Sequence, residues 1–302
     1  MLALRAAGRL IGVVPLARFR DRLRGLLVRV IGSYNNEHAS RSGILVEPGY
    51  EEAAARTLVD HLARNAWQWD VIILRQLPAD APWLAPLIAA APNADLEIFG
   101  PTAGVGKCVL PLTGSWTDFL STKSGHFRAR LKENRRRIEK HGRVAYRRSD
   151  GSPEDFEVFA LLEAGSWKEN SEARLGATGW AFQREVALAP GAGMRCSNLF
   201  LEIDGRVVGG VHAVGHDDVL YSVQMLFDES VRHLYAGRMQ FSVHVADAFA
   251  DERYRLLDLN GNSEFCKSWS DVELGFVSLQ VYSRRPYSRL LAQLKRRFGR
   301  RP

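Results

Sequence analysis

The stretch LLDLNGNSEFCKSWSD, Leu256–Asp271, begins as an apolar strand and turns abruptly polar, with Asp258, Asn260, Asn262, Glu264 and Lys267 in quick succession. A carboxylate at a strand end can take, or hold, the proton of an attacking amine or hydroxyl. A nearby ammonium group can pair with it, position an anion or stabilise a developing oxyanion. The two amides suit a polyol or sugar. Strand alternation puts Asp258 on the side of Leu256 and Asn260, away from Leu257 and Leu259. The competing reading is structural: Asp258 and Lys267 form an ion pair that fixes the loop. Cys266 sits in the same stretch, but no neighbouring base would activate it.

A second set surrounds VRHLYAGRMQ, where a strand runs through a loop into a helix. Gly237 at the helix start would let backbone N–H groups approach an anion, and Arg232 and Arg238 would add fixed charge. A plain helix start has the same letters. His212, in GGVHAVG, is a candidate base or substrate contact beside two glycines that permit close approach, set against a satisfied core histidine. Trp167, followed by Lys168 at a predicted helix end, is either a stacking wall for substrate or a buried staple. The eight histidines and Cys108, Cys196 and Cys266 show no ligand spacing, so no metal and reduced thiols are expected.

These side chains need elements to hold them. Ala54, Leu58, Val59 and Leu62 predict a helix over Glu51–Asn65, and DVIILRQL a buried strand. A helix in DAPWLAPLIAAA, strands LEIFG and KCVLPL and a short helix Trp116–Ser121 follow. GHFRARLKENRRRIEKHG is a long basic helix stopped at Gly142, then come strand VAYRRS and a helix over PEDFEVFALLEAGSWKEN. After a helix over Thr178–Leu188 the period changes to two. CSNLFLEID, RVVGGVHAVG and VLYSVQMLF form an antiparallel meander turning at Asp204-Gly205 and Asp217-Asp218. A helix over Ala236–Phe249, strands RLLDLN and FVSLQVYS and a basic terminal helix complete a mixed α/β protein, with two similar lobes possible.

The 302 residues suit one large or two medium domains. The net charge of +7 is segregated: residues 123–148 carry +9, residues 284–301 carry +8 and residues 1–31 carry +6, so the remainder is acidic. Such patches attract phosphates, nucleic acid or acidic lipid. No apolar run is long enough to span a bilayer, and arginines interrupt every candidate signal core. A cytoplasmic location, with possible attachment to the inner membrane face, is the expectation. In residues 1–31 apolar residues interleave with arginines, as in a frayed helical extension or a basic amphipathic segment on a membrane.

FRARLKENRRRIEKHG, FALLEAGSWKEN, LFLEIDGRVVGGVHAVGHDDVLYSVQMLFD and LLDLNGNSEFCKSW, within Gly125–Ser283, together resemble the CelD-type, FemAB-related branch of the GNAT acyltransferase superfamily. SYNNEHASRSGILVE and WDVIILRQLP resemble its first lobe more loosely. The resemblance implies a GNAT fold, in tandem lobes: a basic extension 1–33, a degenerate lobe 34–122, an acyltransferase lobe 123–283 and a basic helix 284–302. It implies acetyl-CoA or another acyl-CoA as donor, its pyrophosphate at Arg232, Gly237 and Arg238. It implies an amino-sugar or hydroxyl acceptor, as in polysaccharide biosynthesis, handled by Asp258, Lys267, Trp167, His212, Asn260 and Asn262. Tyr221 is favoured over Tyr235 and Tyr282 to protonate the leaving thiolate. FemAB relatives use aminoacyl-tRNA, which keeps that donor open, as does a degenerate module binding RNA or anionic membrane. Two departures stand out. The Q/R-x-x-G-x-G/A signature is not intact, and Ala236-Gly237 replaces the branch's Pro-Gly.

Overall fold

The structure, a computed structural model, describes residues 1–33, 42–171, 173–189 and 193–298. Much of SYNNEHASRSGILVE, residues 34–41, lies outside the described residues. Numbered along the chain, the elements begin with β1 (Leu2–Ala6), β2 (Arg9–Val14), β3 (Leu16–Leu23), β4 (Leu26–Ser33), β5 (Leu45–Val46), α1 (Glu51–Arg64), β6 (Val71–Pro78), α2 (Leu84–Ala90) and β7 (Leu96–Ala103). Then come β8 (Lys107–Pro111), α3 (Trp116–Thr122), α4 (Gly125–His141), β9 (Val144–Ser149), α5 (Pro153–Ala164), α6 (Gly176–Leu188), β10 (Met194–Ile203), β11 (Arg206–His216), β12 (Val219–Phe227), α7 (Ala236–Ala250), β13 (Leu256–Asp258) and α8 (Glu264–Trp269). The chain ends with β14 (Glu273–Leu274), β15 (Phe276–Ser283) and α9 (Pro286–Phe298).

Two compact units result: Met1–Gly106 with Leu274–Pro302, and Lys107–Glu273. The borders differ from those drawn on the sequence. β8 and α3 belong to the second unit, whereas β15 returns to the first.

In the first unit the sheet order is β3-β4-β6-β15-β7, with β1-β2-β5 a separate small sheet. β6 is apolar from Val71 to Leu74 because both its faces are covered there, before Arg75 and Gln76 emerge to the surface. Ile72 and Leu74 share one core with Leu58 of α1, while Val71 and Ile73 share another with Leu291 of α9. Residues 1–31 are therefore strands, and the expected helical extension is corrected. Arg18, Arg20 and Arg22 alternate at the strand period, and the hairpins turn at Ala7-Gly8 and Arg24-Gly25, all four at positive φ.

In the second unit the strands run β8-β13-β12-β11-β10-β9. The predicted meander is present, β10, β11 and β12 pairing antiparallel. On one face α7 packs Phe241 and Val245 against Val211, Ala213, Leu220 and Leu257. On the other, α5 and α6 pack Phe156, Phe159 and Trp180 against Phe200 and Leu226. The helix expected to run through SWKEN stops at Ala164. Gly165 interrupts it, and Ser166 starts a 3-10 turn, Trp167–Asn170, by accepting the Lys168 N–H. α8 was not foreseen; Ser263 caps it by accepting the Cys266 N–H.

Candidate active site

β12 and β13 run parallel for three rungs, Val219↔Leu256, Leu220↔Leu257 and Tyr221↔Asp258. Then they part. The β13 chain turns away at Asn260, which adopts a left-handed φ of 50°. β12 continues to Phe227, paired with β11 but, among the described residues, with no sheet partner on its other side. Between His212↔Gln224 and Ala213↔Ser222 it carries one extra residue, Val223, a bulge. The sheet is thus split beyond Tyr221, with one face of the split toward α7 and the other toward α5 and α6.

On the α7 side lies a cavity of about 640 Å³, whose walls include Met225, Phe227 and Phe265 and whose end is Tyr235–Arg238. Tyr235, at φ 58°, starts α7 without a side-chain cap, and the first turn holds no acid. The Arg238 and Met239 N–H groups bond the Tyr235 carbonyl. The Ala236 and Gly237 N–H groups therefore meet no capping side chain among the described residues, leaving partial positive charge at the cavity wall. The Arg238 guanidinium lies 5.6 Å from the Phe265 ring centre. Burial, and then Arg130, push its pKa below the ordinary value. Arg137 of α4 lies 5.1 Å over the Tyr235 ring. Arg232 is less available, because it pairs with Glu229 at 3.3 Å. The other Glu229 oxygen is buried without a hydrogen-bond partner among the described residues. Gly237 serves packing as well as access: a Cβ there would come within 2.9 Å of the Phe227 ring.

On the other side of the split, Lys168 donates to the Gln224 Oε1, and Gln224 in turn donates to the Ala173 carbonyl at 2.9 Å. Gln224 sits directly opposite His212, on the α5–α6 face, in the unpaired stretch of β12. Burial drives the Lys168 pKa down to about 8, with Glu163 and Cys266 opposing the shift. Its Nζ lies 5.7 Å from the ring of Trp167, which is 53% exposed.

The residues singled out from the sequence divide between these places. Arg232, Gly237 and Arg238 share the cavity; Tyr221 and Asp258 face each other where the strands part. Asp258 is fully buried, and its Oδ1 accepts the Asn260 N–H at 2.8 Å, holding the left-handed turn. Lys267 does not complete the anticipated ion pair with Asp258. It is 3.9 Å from Glu264, one helical turn away, and half-exposed. Asn260 accepts from Lys107 at 2.8 Å, and Asn262 accepts from the Cys108 thiol and reaches Glu273. The polar run thus largely stitches its loop to β8, aided by Cys108 N–H to Gly261 O and Leu259 N–H to Cys108 O.

His212 is withdrawn from any substrate. It has no exposed surface, and burial pushes its pKa down to about 3. Its Nδ1 contacts Asn198 Oδ1 at 2.8 Å and its Nε2 contacts Gln183 at 3.1 Å. Asn198 gives its NH₂ to Asp155, so its oxygen is left to accept, and the Gln183 atom facing Nε2 is likewise an amide oxygen. Tyr282 is buried in the first unit and donates to Gln280.

Sequence reasoning missed Lys168 as a buried amine, and Arg130 and Arg137 as neighbours of the α7 start. The available signal was Gly165-Ser166 ahead of Trp167, a helix stop that turns the next lysine inward.

Residues 125–268 match the family model described as acetyltransferase (GNAT) domain. The crystal structure of FemX superposes with a TM-score of 0.64 at 13% identity, over 97% of this chain and 89% of that one. The C-terminal domain of a putative lysylphosphatidylglycerol synthetase from Agrobacterium fabrum gives 0.53 at 14% identity, covering 92% and 88%. L-PGS from Bacillus licheniformis gives 0.52 at 12% identity, covering 91% and 86%. At such identities the likeness is one of fold. No curated protein matches the sequence.

Proposed function

Since residues 125–268 belong to the acetyltransferase (GNAT) domain family, we propose that this acyltransferase takes its acyl group from a CoA thioester, acetyl-CoA first among them. It delivers that group to the amine or hydroxyl of a small polar acceptor, with an amino sugar of polysaccharide biosynthesis the class we favour. The observation that carries this reading is the split beyond Tyr221, which leads along β12 to the uncapped start of α7.

In this reading the Ala236 and Gly237 N–H groups and Arg238 hold the donor's pyrophosphate. Met225, Phe227 and Phe265 line its arm, and the thioester enters the split. The acceptor approaches from the α5–α6 side, where the exposed Trp167 face suits a sugar ring. Lys168, largely a free amine above pH 8, takes the proton as the acceptor attacks the thioester carbon. The Tyr221 hydroxyl supplies a proton to the departing thiolate. Asp258 acts by holding the Asn260 turn and hence the apex of the split; Lys267 stays at the rim.

Calorimetric titration with acetyl-CoA, longer acyl-CoAs and free CoA at two salt concentrations tests this. Saturable binding, weakened at least tenfold in Arg238→Ala, is expected. Arg238 is a better probe than Gly237, where any side chain would strike Phe227. No binding of any CoA species would overturn the reading. One observation favours another donor: Arg130, Lys132, Arg136 and Lys140 of α4 have no carboxylate partner among the described residues. Aminoacyl-tRNA in the same titration tests that possibility.

A further inference from the structure

The first unit has a surface that the chemistry above does not use. Arg18, Arg20 and Arg22 of β3 alternate with Phe19 and Asp21, so they project from one face of the sheet. β3 is an edge strand. All three arginines are exposed, and none has a carboxylate partner among the described residues. Across the hairpin, Arg22 faces Leu27 and Arg20 faces Arg29. Leu27 is 56% exposed. Arg29 is already matched by Asp70, at 2.6 Å, and its Nη1 donates to the Trp67 carbonyl at 2.8 Å. That bond ties the Trp67 backbone to Arg29, and the Trp67 side chain is 60% exposed.

An isolated file of arginines on an edge strand has an ordinary explanation, since charge there discourages edge-to-edge pairing. It does not call for an uncovered leucine opposite those charges and an uncovered indole on the segment bonded to Arg29. Arginines carrying no counter-charge, with an exposed aliphatic side chain opposite them and an exposed tryptophan on the adjoining segment, are what the boundary of an acidic bilayer selects. The guanidiniums meet lipid phosphates and the indole sits at headgroup level. We propose that this face of the β3–β4 hairpin, with Trp67, docks the protein on an anionic lipid surface. The idea is independent of the donor and acceptor assigned to the second unit.

The full chain should co-sediment with vesicles of phosphatidylcholine and phosphatidylglycerol, not with phosphatidylcholine alone, and binding should weaken as salt rises. The double variant Arg20→Glu/Arg22→Glu should lose roughly 10- to 100-fold in vesicle affinity. Leu27→Ser/Trp67→Ser, which leaves the charge intact, should lose about 10-fold. Arg136→Glu/Lys140→Glu on α4 should bind as the parent does. Thermal melts of each variant establish that it is folded. Absence of binding to acidic vesicles, or undiminished binding in the Arg20/Arg22 variant, would overturn the proposal. So would undiminished vesicle binding in Leu27→Ser/Trp67→Ser, or a preference for single-stranded RNA abolished by the arginine variant alone, which would assign the face to nucleic acid.

Discussion

Each unit contains a parallel strand pair of three rungs, β12–β13 and β4–β6, and the two pairs meet different fates. In the second unit β12 outlasts its partner, remains open along one side and delivers the chain to α7, whose first turn carries no acid. In the first unit the pair is β4–β6, Val30↔Val71 to Gly32↔Ile73. There β4 ends at Ser33, whose hydroxyl accepts the Arg75 N–H at 3.0 Å, and the Ser42 N–H bonds the Gln76 carbonyl. The edge that is open in one unit is closed in the other. The next helix, α1, begins with Glu51 and Glu52, and Glu51 already accepts the Gly49 N–H. Carboxylates there compete with any incoming anion for the N-terminal amides. The fold therefore offers a split sheet and a helix start in both places, but the residue types at the helix start decide which can receive a phosphate.

The largest test of this contrast concerns Lys168, the amine buried in the second unit. Lys168→Ala should lower kcat by about 10²–10⁴-fold while leaving CoA affinity nearly unchanged. In the parent, kcat/KM should climb with pH and level off above about 8, since the free amine is the active form. A parent profile flat from pH 6 to 9 would remove Lys168 from the proton transfer. Next, Arg238→Glu gives α7 the first-turn charge of α1 and should weaken CoA by roughly 100-fold in calorimetry. Removing the charges from the other side, Glu51→Gln/Glu52→Gln, should leave CoA binding stoichiometry where it was. A second binding event in that variant would mean that the acids alone silence the first unit.

A smaller effect distinguishes the units by acid. His212 and His244 are buried in the second unit, with pKa values driven down to about 3 and about 4 by burial. Unfolded histidine binds its proton near pH 6.5, so between that value and the folded ones the unfolded state holds more protons. Stability should therefore be intact above about 6.5 and fall with decreasing pH by about 1.4 kcal/mol per unit for each group. Hydrogen exchange followed by mass spectrometry should show second-unit amides losing protection first, and His244→Gln should flatten the slope. The smallest effect belongs to Ser33→Ala, which removes one stitch and should cost about 1 kcal/mol or less in denaturant unfolding.

How much of this was legible in the sequence follows from which signals are local. The meander, α4 and α7 announce themselves by period and by their Asp-Gly or Gly stops, and the uncapped start of α7 lies where Ala236-Gly237 suggested. Residues 1–31 mislead because the arginines at every second position from Arg18 to Arg24 mask a strand period among scattered leucines. The run from Asp258 to Lys267 looked like a reacting cluster because its types suit chemistry; in space Asp258 holds a turn and Lys267 leans on Glu264. Lys168 was the converse, an unremarkable letter whose burial comes from packing against Gln224 of β12, distant in sequence. Periodicity reports faces within an element. It does not report which side chain a later strand will cover.

β15 lies between β6 and β7, hydrogen-bonded to both. The first unit therefore lacks a central strand until Phe276–Ser283, which follow the whole of Lys107–Glu273 in the chain, have left the ribosome. The second unit, continuous in the chain, can mature first. The first waits as a sheet with a missing middle, its β6 and β7 edges both available to a chance partner. Chains cut short near Glu273 during synthesis should leave the second unit protease-resistant and the first unit degraded. Production of the intact protein should then respond more to how quickly its last third is translated than to its first.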